Sequence, residues 1–166
     1  MYGVIYYECV KATSWWFNDI KVEIRELAED SQEMTVEEIM RYQGNNKGPA
    51  AGAGQIKFDT LQYLIDYGTI QPTDVFTVET QDKAHSRLLD RRGFQSWVSG
   101  EMSNTDFGQN VAKEYAGIPL LADEEVNGVL RTRGSSRYGG SNVARIGLDD
   151  WEGLLATAKT TTPDYG

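Results

Sequence analysis

At 166 residues the chain has room for one well-buried core with appendages and little room for two full domains. Apolar content of 40% and charged content of 25% are globular averages, which disfavours a disordered chain, and no apolar run approaches the roughly 20 residues that span a bilayer. A net charge of −9 speaks against general affinity for nucleic acid, because neutralising phosphates needs a basic surface.

The start, Met1-Tyr2-Gly3-Val4-Ile5-Tyr6-Tyr7-Glu8, lacks the basic head and small-residue cleavage site of a secretory signal, so synthesis and folding in a cytoplasm are expected. Residues 4–10 predict a strand that buries the single cysteine, Cys9, as a structural thiol. Ile20-Lys21-Val22-Glu23-Ile24-Arg25-Glu26 alternates apolar and charged residues, the pattern of a half-exposed strand. Between them, Trp15, Trp16 and Phe17 cannot all face one side of a strand, so part of the trio is expected to meet another element or another chain, with an ordinary core corner as the other, favoured reading. Thr35-Val36-Glu37-Glu38 is a capping box opening a helix to Gln43. The glycine-rich stretch from Gly44 to Gly54 ends that helix and is the candidate domain boundary. Gly48, Gly52 and Gly54 miss the dinucleotide spacing and no Gly-Lys-Ser or Gly-Lys-Thr occurs after them, so a hinge is expected there and not a phosphate loop.

The stretch from Phe58 to Arg92 organises the rest of the chain. Leu61, Leu64 and Ile65 give a helical stripe with Asp59 placed to cap, Gln62 to reach back and Gly68 to stop the helix. Pro72-Thr73-Asp74 predicts a turn, and Val75 to Thr80, rich in β-branched residues, a strand. Asp82 is placed to cap a second helix, Lys83 to Arg92, ended by Gly93. A polar loop is expected over Phe94 to Asp106, then a short helix over Phe107 to Tyr115. Ala116 to Ala122 predicts an edge strand, because Pro119 removes a ladder donor. Asn127-Gly128 is the sharpest hairpin signal; Val129 to Arg133 and Asn142 to Leu148 predict two further strands, and Asp149-Asp150 a turn. From Trp151 to Leu155 the chain is expected to return to the core, and the tail from Lys159 to be extended and weakly ordered.

The pattern therefore predicts a mixed α/β (α+β) fold, a central mixed sheet flanked by helices with an extended N-terminal region. It divides as 1–54, N-terminal strands, short helix and hinge; 55–157, the core domain; and 158–166, a flexible tail. The single histidine, His85, has no framed nucleophile near it in sequence and is expected to be an exposed structural residue. One His and one Cys cannot make the usual zinc set, and Asp123-Glu124-Glu125 and Asp149-Asp150 lack the spacing of a calcium loop. No cofactor or metal is expected. Arg131, Arg133, Arg137 and Arg145, with Tyr138 among them, form the one basic spot in an acidic chain. Nucleic acid could use it through phosphate contacts and stacking, solvated loop charge is a second reading, and a partner subunit's carboxylates fit it better.

The stretches Leu64-Ile65-Asp66-Tyr67-Gly68, Asp74-Val75-Phe76-Thr77-Val78, His85-Ser86-Arg87-Leu88-Leu89, Phe107-Gly108, Tyr115-Ala116-Gly117-Ile118-Pro119-Leu120 and Asn142 through Leu154 follow one another in a familiar order. Together they resemble the major capsid proteins of tailed phages, the Hong Kong phage-type shell fold shared with encapsulins. The likeness covers about residues 55–155 in order and character. It implies a non-enzymatic structural virion subunit, many copies of which assemble into an icosahedral head around double-stranded DNA that is enclosed but not specifically bound. Other virion proteins are possible partners under that reading, and no membrane is. Residues 1–50 match the family poorly, and the helix from Thr35 to Gln43 is too short for its long spine helix. The expected subunit contacts are loop 94–106 with Trp97, loop 131–141 with Arg131, Arg133, Arg137 and Tyr138, and the trio Trp15, Trp16 and Phe17. The alternative is a small cytosolic enzyme or ligand-binding module, its site outside the ends of Val75–Thr80 and Ile118–Ala122.

Overall fold

The computed structural model describes residues 33–45, 48, 50–52 and 55–160, the last two of them as helix backbone only. Among these residues the chain forms two compact units, 33–87 and 88–160. The expected strands at 4–10 and 20–26, Cys9, Trp15, Trp16, Phe17 and the tail after Thr160 lie outside the described residues.

In the first unit, helix α1 (Val36–Gln43) starts at the expected capping box. Thr35 Oγ1 accepts from the Glu38 N–H at 3.3 Å and Glu38 Oε2 accepts from the Thr35 N–H at 2.9 Å. The Val36 and Glu37 N–H groups, which no helical carbonyl can reach, donate to the Asp74 and Pro72 carbonyls, both at 2.9 Å. The predicted Pro72–Asp74 turn thus supplies the acceptors that a helix start lacks. Val36, Ile39, Met40 and Gln43 form the buried stripe. Helix α2 (Phe58–Asp66) packs against α1 and buries Leu61 and Leu64. Its N-cap is Lys57 without a side-chain bond, in place of Asp59, and Gln62 bonds Asp66 at 2.8 Å one turn on. Gly68, in the left-handed region at φ 80°, comes after that helix as expected.

The strand expected over Val75 to Thr80 is replaced by the start of a helix. Val75 makes one antiparallel bridge to Thr35, and helix α3 runs from Val78 to Arg91. The threonines decide it: Thr77 Oγ1 accepts from the Thr80 N–H at 3.3 Å and the Thr80 hydroxyl donates to the Val75 carbonyl at 2.7 Å. Cap bonds outweigh β-propensity here, and Asp82 sits inside the helix. Gln81, Ala84, His85, Leu88 and Leu89 are buried at i, i+3, i+4, i+7 and i+8. His85 is therefore buried, at 0% exposure, and not exposed as its polar neighbours suggested.

In the second unit the predicted loop 94–106 holds helix α4 (Phe94–Val98) and the start of helix α5 (Asn104–Glu114). Ser103 caps α5 by accepting from the Asp106 N–H at 3.0 Å, so the helix begins at Asn104, three residues before the expected start. Strands β1 (Glu124–Val126) and β2 (Val129–Arg131) form the predicted hairpin, with Asn127 at φ 52° and Gly128 at φ 78°. A two-residue turn whose central residues are both left-handed matches the twist of its strands. The expected Asn142–Leu148 strand is irregular over 142–147, and helix α6 (Leu148–Thr160) takes the place of the Asp149–Asp150 turn. Both aspartates lie in its first turn, where the helix dipole favours negative charge.

Helix α5 packs against α4 and α6. The core they close contains Leu89, Phe94, Trp97, Phe107, Val111, Tyr115, Ile118, Leu120, Trp151 and Leu155. Trp97 stacks on Phe107 with ring centroids 4.6 Å apart, and its indole N–H donates to Asn104 Oδ1 at 2.7 Å. Helices with one hairpin make an α+β composition. The expected central mixed sheet is not found among the described residues, where the only sheet is β1–β2.

Candidate functional site

Between Arg131 and Leu148 the second unit carries its longest irregular segment. Its anchors come from residues distant in sequence. Leu120 and the loop exchange backbone bonds, Leu120 N–H to the Ser135 carbonyl at 2.9 Å and Gly134 N–H to the Leu120 carbonyl at 2.8 Å. Pro119, bridged to Ser136, offers no donor, so the expected Ala116–Ala122 strand shrinks to this one step. The buried Ser136 hydroxyl donates to the Ala116 carbonyl at 2.7 Å, the Arg145 N–H to the Gly117 carbonyl at 2.7 Å, and the Arg133 N–H to Asp123 Oδ1 at 2.7 Å. Gln109 on α5 braces the facing segment, its Oε1 accepting from the Leu121 N–H at 2.7 Å.

The basic residues singled out by charge divide here. Arg133 pairs with Glu152 on α6 at 2.6 Å, and Arg137 with Glu124 on β1 at 3.3 Å. Tyr138 is 45% exposed, yet its hydroxyl is tied to the Lys113 carbonyl, which fixes the ring as a platform at the surface. Arg131 is different. It is half-buried, its Nε is sealed without a hydrogen-bond partner, and among the described residues it has no ion pair. Its guanidinium lies against Gly139, at φ 62°, where an added Cβ would overlap it.

Trp97, also expected at a subunit contact, is buried at 0% exposure in the core of its own unit, so the surface role is withdrawn. An indole that both stacks and donates inside one unit has nothing left to offer a neighbour. Trp15, Trp16 and Phe17 lie outside the described residues.

Sequence reasoning passed over Glu114. Its side chain is 6% exposed and takes both Arg91, the last residue of α3, at 2.5 Å, and Arg92, just after it, at 2.6 Å. The adjacent arginines Arg91-Arg92 were the available signal. His85 has its pKa lowered from 6.5 to about 4 by burial, which strips water from the charged form. Its imidazole is neutral near pH 7. Among the described residues no cluster of His, Cys, Asp and Glu could hold a metal ion, and no helix is long and apolar enough to cross a membrane.

No protein-family model, no curated protein and no solved structure matches the chain.

Proposed function

We propose that this chain is a small ligand-binding module whose working surface is the loop 132–147. The carrying observation is that a long irregular segment is held by side chains and backbone from α5, from 116–123 and from α6. Long loops inside compact units cost entropy to order, and a segment ordered by this many bonds is the kind that binds. It offers an exposed aromatic ring, exposed Gly140, Ser141 and Asn142, and one half-buried cation. The enzyme reading is the same surface with a reacting group added.

A subunit of a tailed-phage type shell is the second reading, and Arg131 favours it: a guanidinium without a partner of its own can take a carboxylate from another copy. Against it stand the pairing of Arg133 and Arg137 within their own unit and the burial of Trp97. Light scattering across a concentration series, with ligand-screening amide NMR on the same sample, separates the two. A monomer whose ligand-induced shifts fall on 132–147 supports the binding module. Shells or large oligomers that disappear in an Arg131→Glu, Arg133→Glu double variant with unchanged monomer fold would support the shell and defeat the module.

A further inference from the structure

The geometry points to Arg131 as the anion-binding residue of this surface, taking the carboxylate of a ligand; the inference rests on the ligand-binding reading above and deepens it. A half-buried cation is costly to leave unpaired, and this chain, at net charge −9, has carboxylates in excess. The nearest of them is withheld. Glu124 stands directly across the hairpin from Arg131, but its carboxylate is engaged by Arg137 at 3.3 Å and Gln109 at 3.5 Å. Arg131 thus keeps its charge uncompensated beside an acid that another arginine occupies.

The shape of the site selects the ligand. Nε is sealed, and Gly139 lies against Cζ and both terminal nitrogens from one side, so what is left to an anion is the N–H bonds of Nη1 and Nη2 directed away from Gly139. Two parallel N–H donors match the two oxygens of a carboxylate. A doubly charged phosphate would leave one negative charge uncompensated beside Glu124, whereas a carboxylate balances the single cation. Glycine at 139 belongs to the site as well, because its left-handed backbone at φ 62° disfavours a side chain and a Cβ there would push the Arg131 guanidinium out of place.

The test tracks the Arg131 Nε–Hε resonance of the full chain while sodium acetate, sodium phosphate or sodium chloride is added at matched ionic strength and pH 7. Acetate is expected to give a saturable shift several-fold larger than chloride at equal concentration. The shift should persist in Arg133→Gln, whose side chain is already paired with Glu152. Binding of acetate, read from broadening of its own methyl signal, should be lost in Arg131→Gln, with amide spectra reporting that the variant is folded. Equal shifts from acetate and chloride, or saturation by phosphate alone, overturn the proposal. So does a shift that grows with protein concentration before any carboxylate is added, which would give Arg131 to a second copy. If acetate fails while other ligands still shift amides of 132–147, the binding module stands and only the carboxylate subsite falls.

Discussion

Lowering the pH should destabilise this protein through His85 in a window that its neighbours do not set. The imidazole is wholly buried on α3, with Ala84 and Leu88 also buried on that face, and burial lowers its pKa from 6.5 to about 4. As pH falls below 6.5 the unfolded chain takes up a proton that the folded chain refuses. The stability from keeping this ring neutral is therefore complete above 6.5 and lost progressively down to about 4. Two and a half units of separation correspond to about 3 kcal/mol, of which about 2 kcal/mol is gone by pH 5. Against a domain stability of about 5–15 kcal/mol this is a large share. Urea unfolding of the native chain and of His85→Gln, at pH 7.5, 6 and 5, isolates the effect because the carboxylates titrate in both. The native chain should lose about 2 kcal/mol more than the variant between pH 7.5 and 5. As the only histidine, its ring protons can be tracked directly by NMR. Parallel stability curves for the two proteins, or a ring that titrates near 6.5 in the folded state, would refute the reasoning.

Three further substitutions probe the second unit. Trp97→Ala removes the ring stacked on Phe107 from a sealed core and should cost about 3–5 kcal/mol in denaturant unfolding, with no effect on any oligomeric state. Glu114→Gln leaves Arg91 and Arg92 without their shared carboxylate; because the arginines are partly exposed, a loss of about 1–3 kcal/mol is expected, reduced at high salt. Gly128→Ala, at φ 78° in the hairpin turn, should cost about 1 kcal/mol in thermal unfolding and leave the core untouched.

Local chemistry was legible in the sequence, and long-range partnership was not. Thr35 and Glu38 announce α1 because both partners of the capping box lie within one turn, and Asn127-Gly128 announces the hairpin because only such residues take two left-handed positions in a row. Val75 to Thr80 misled because its β-branched residues satisfy two rules at once. As a sheet segment they would have needed a partner strand; as a helix start, Thr77 and Thr80 satisfy the backbone alone. The same logic holds at Asp149 and Asp150, where a pair of acids reads as a turn until Trp151, Leu155 and Ala158 turn out to be buried on one face of α6. For Trp97, the serines and asparagine around it suggested a loop, but Phe94 and Trp97 are spaced to share one helical face.

Charge carries the clearest lesson for the site. Counting arginines along 131–145 makes a basic patch, and the count treats each guanidinium as available. Their partners lie far along the chain: Glu152 is 19 residues from Arg133, and Glu124 is 13 from Arg137. An acidic chain has ample carboxylates for such pairings, so most of a patch drawn on the sequence is neutralised once the fold closes. What survives is the residue that the fold declines to pair. Arg131 faces Glu124 across the hairpin, where a cross-strand ion pair would ordinarily form, and Arg137 takes that carboxylate. Of Arg131, Arg133 and Arg137, one half-buried cation is thus left at the edge of a loop held by many bonds, and that reduction is the physical ground for placing recognition there.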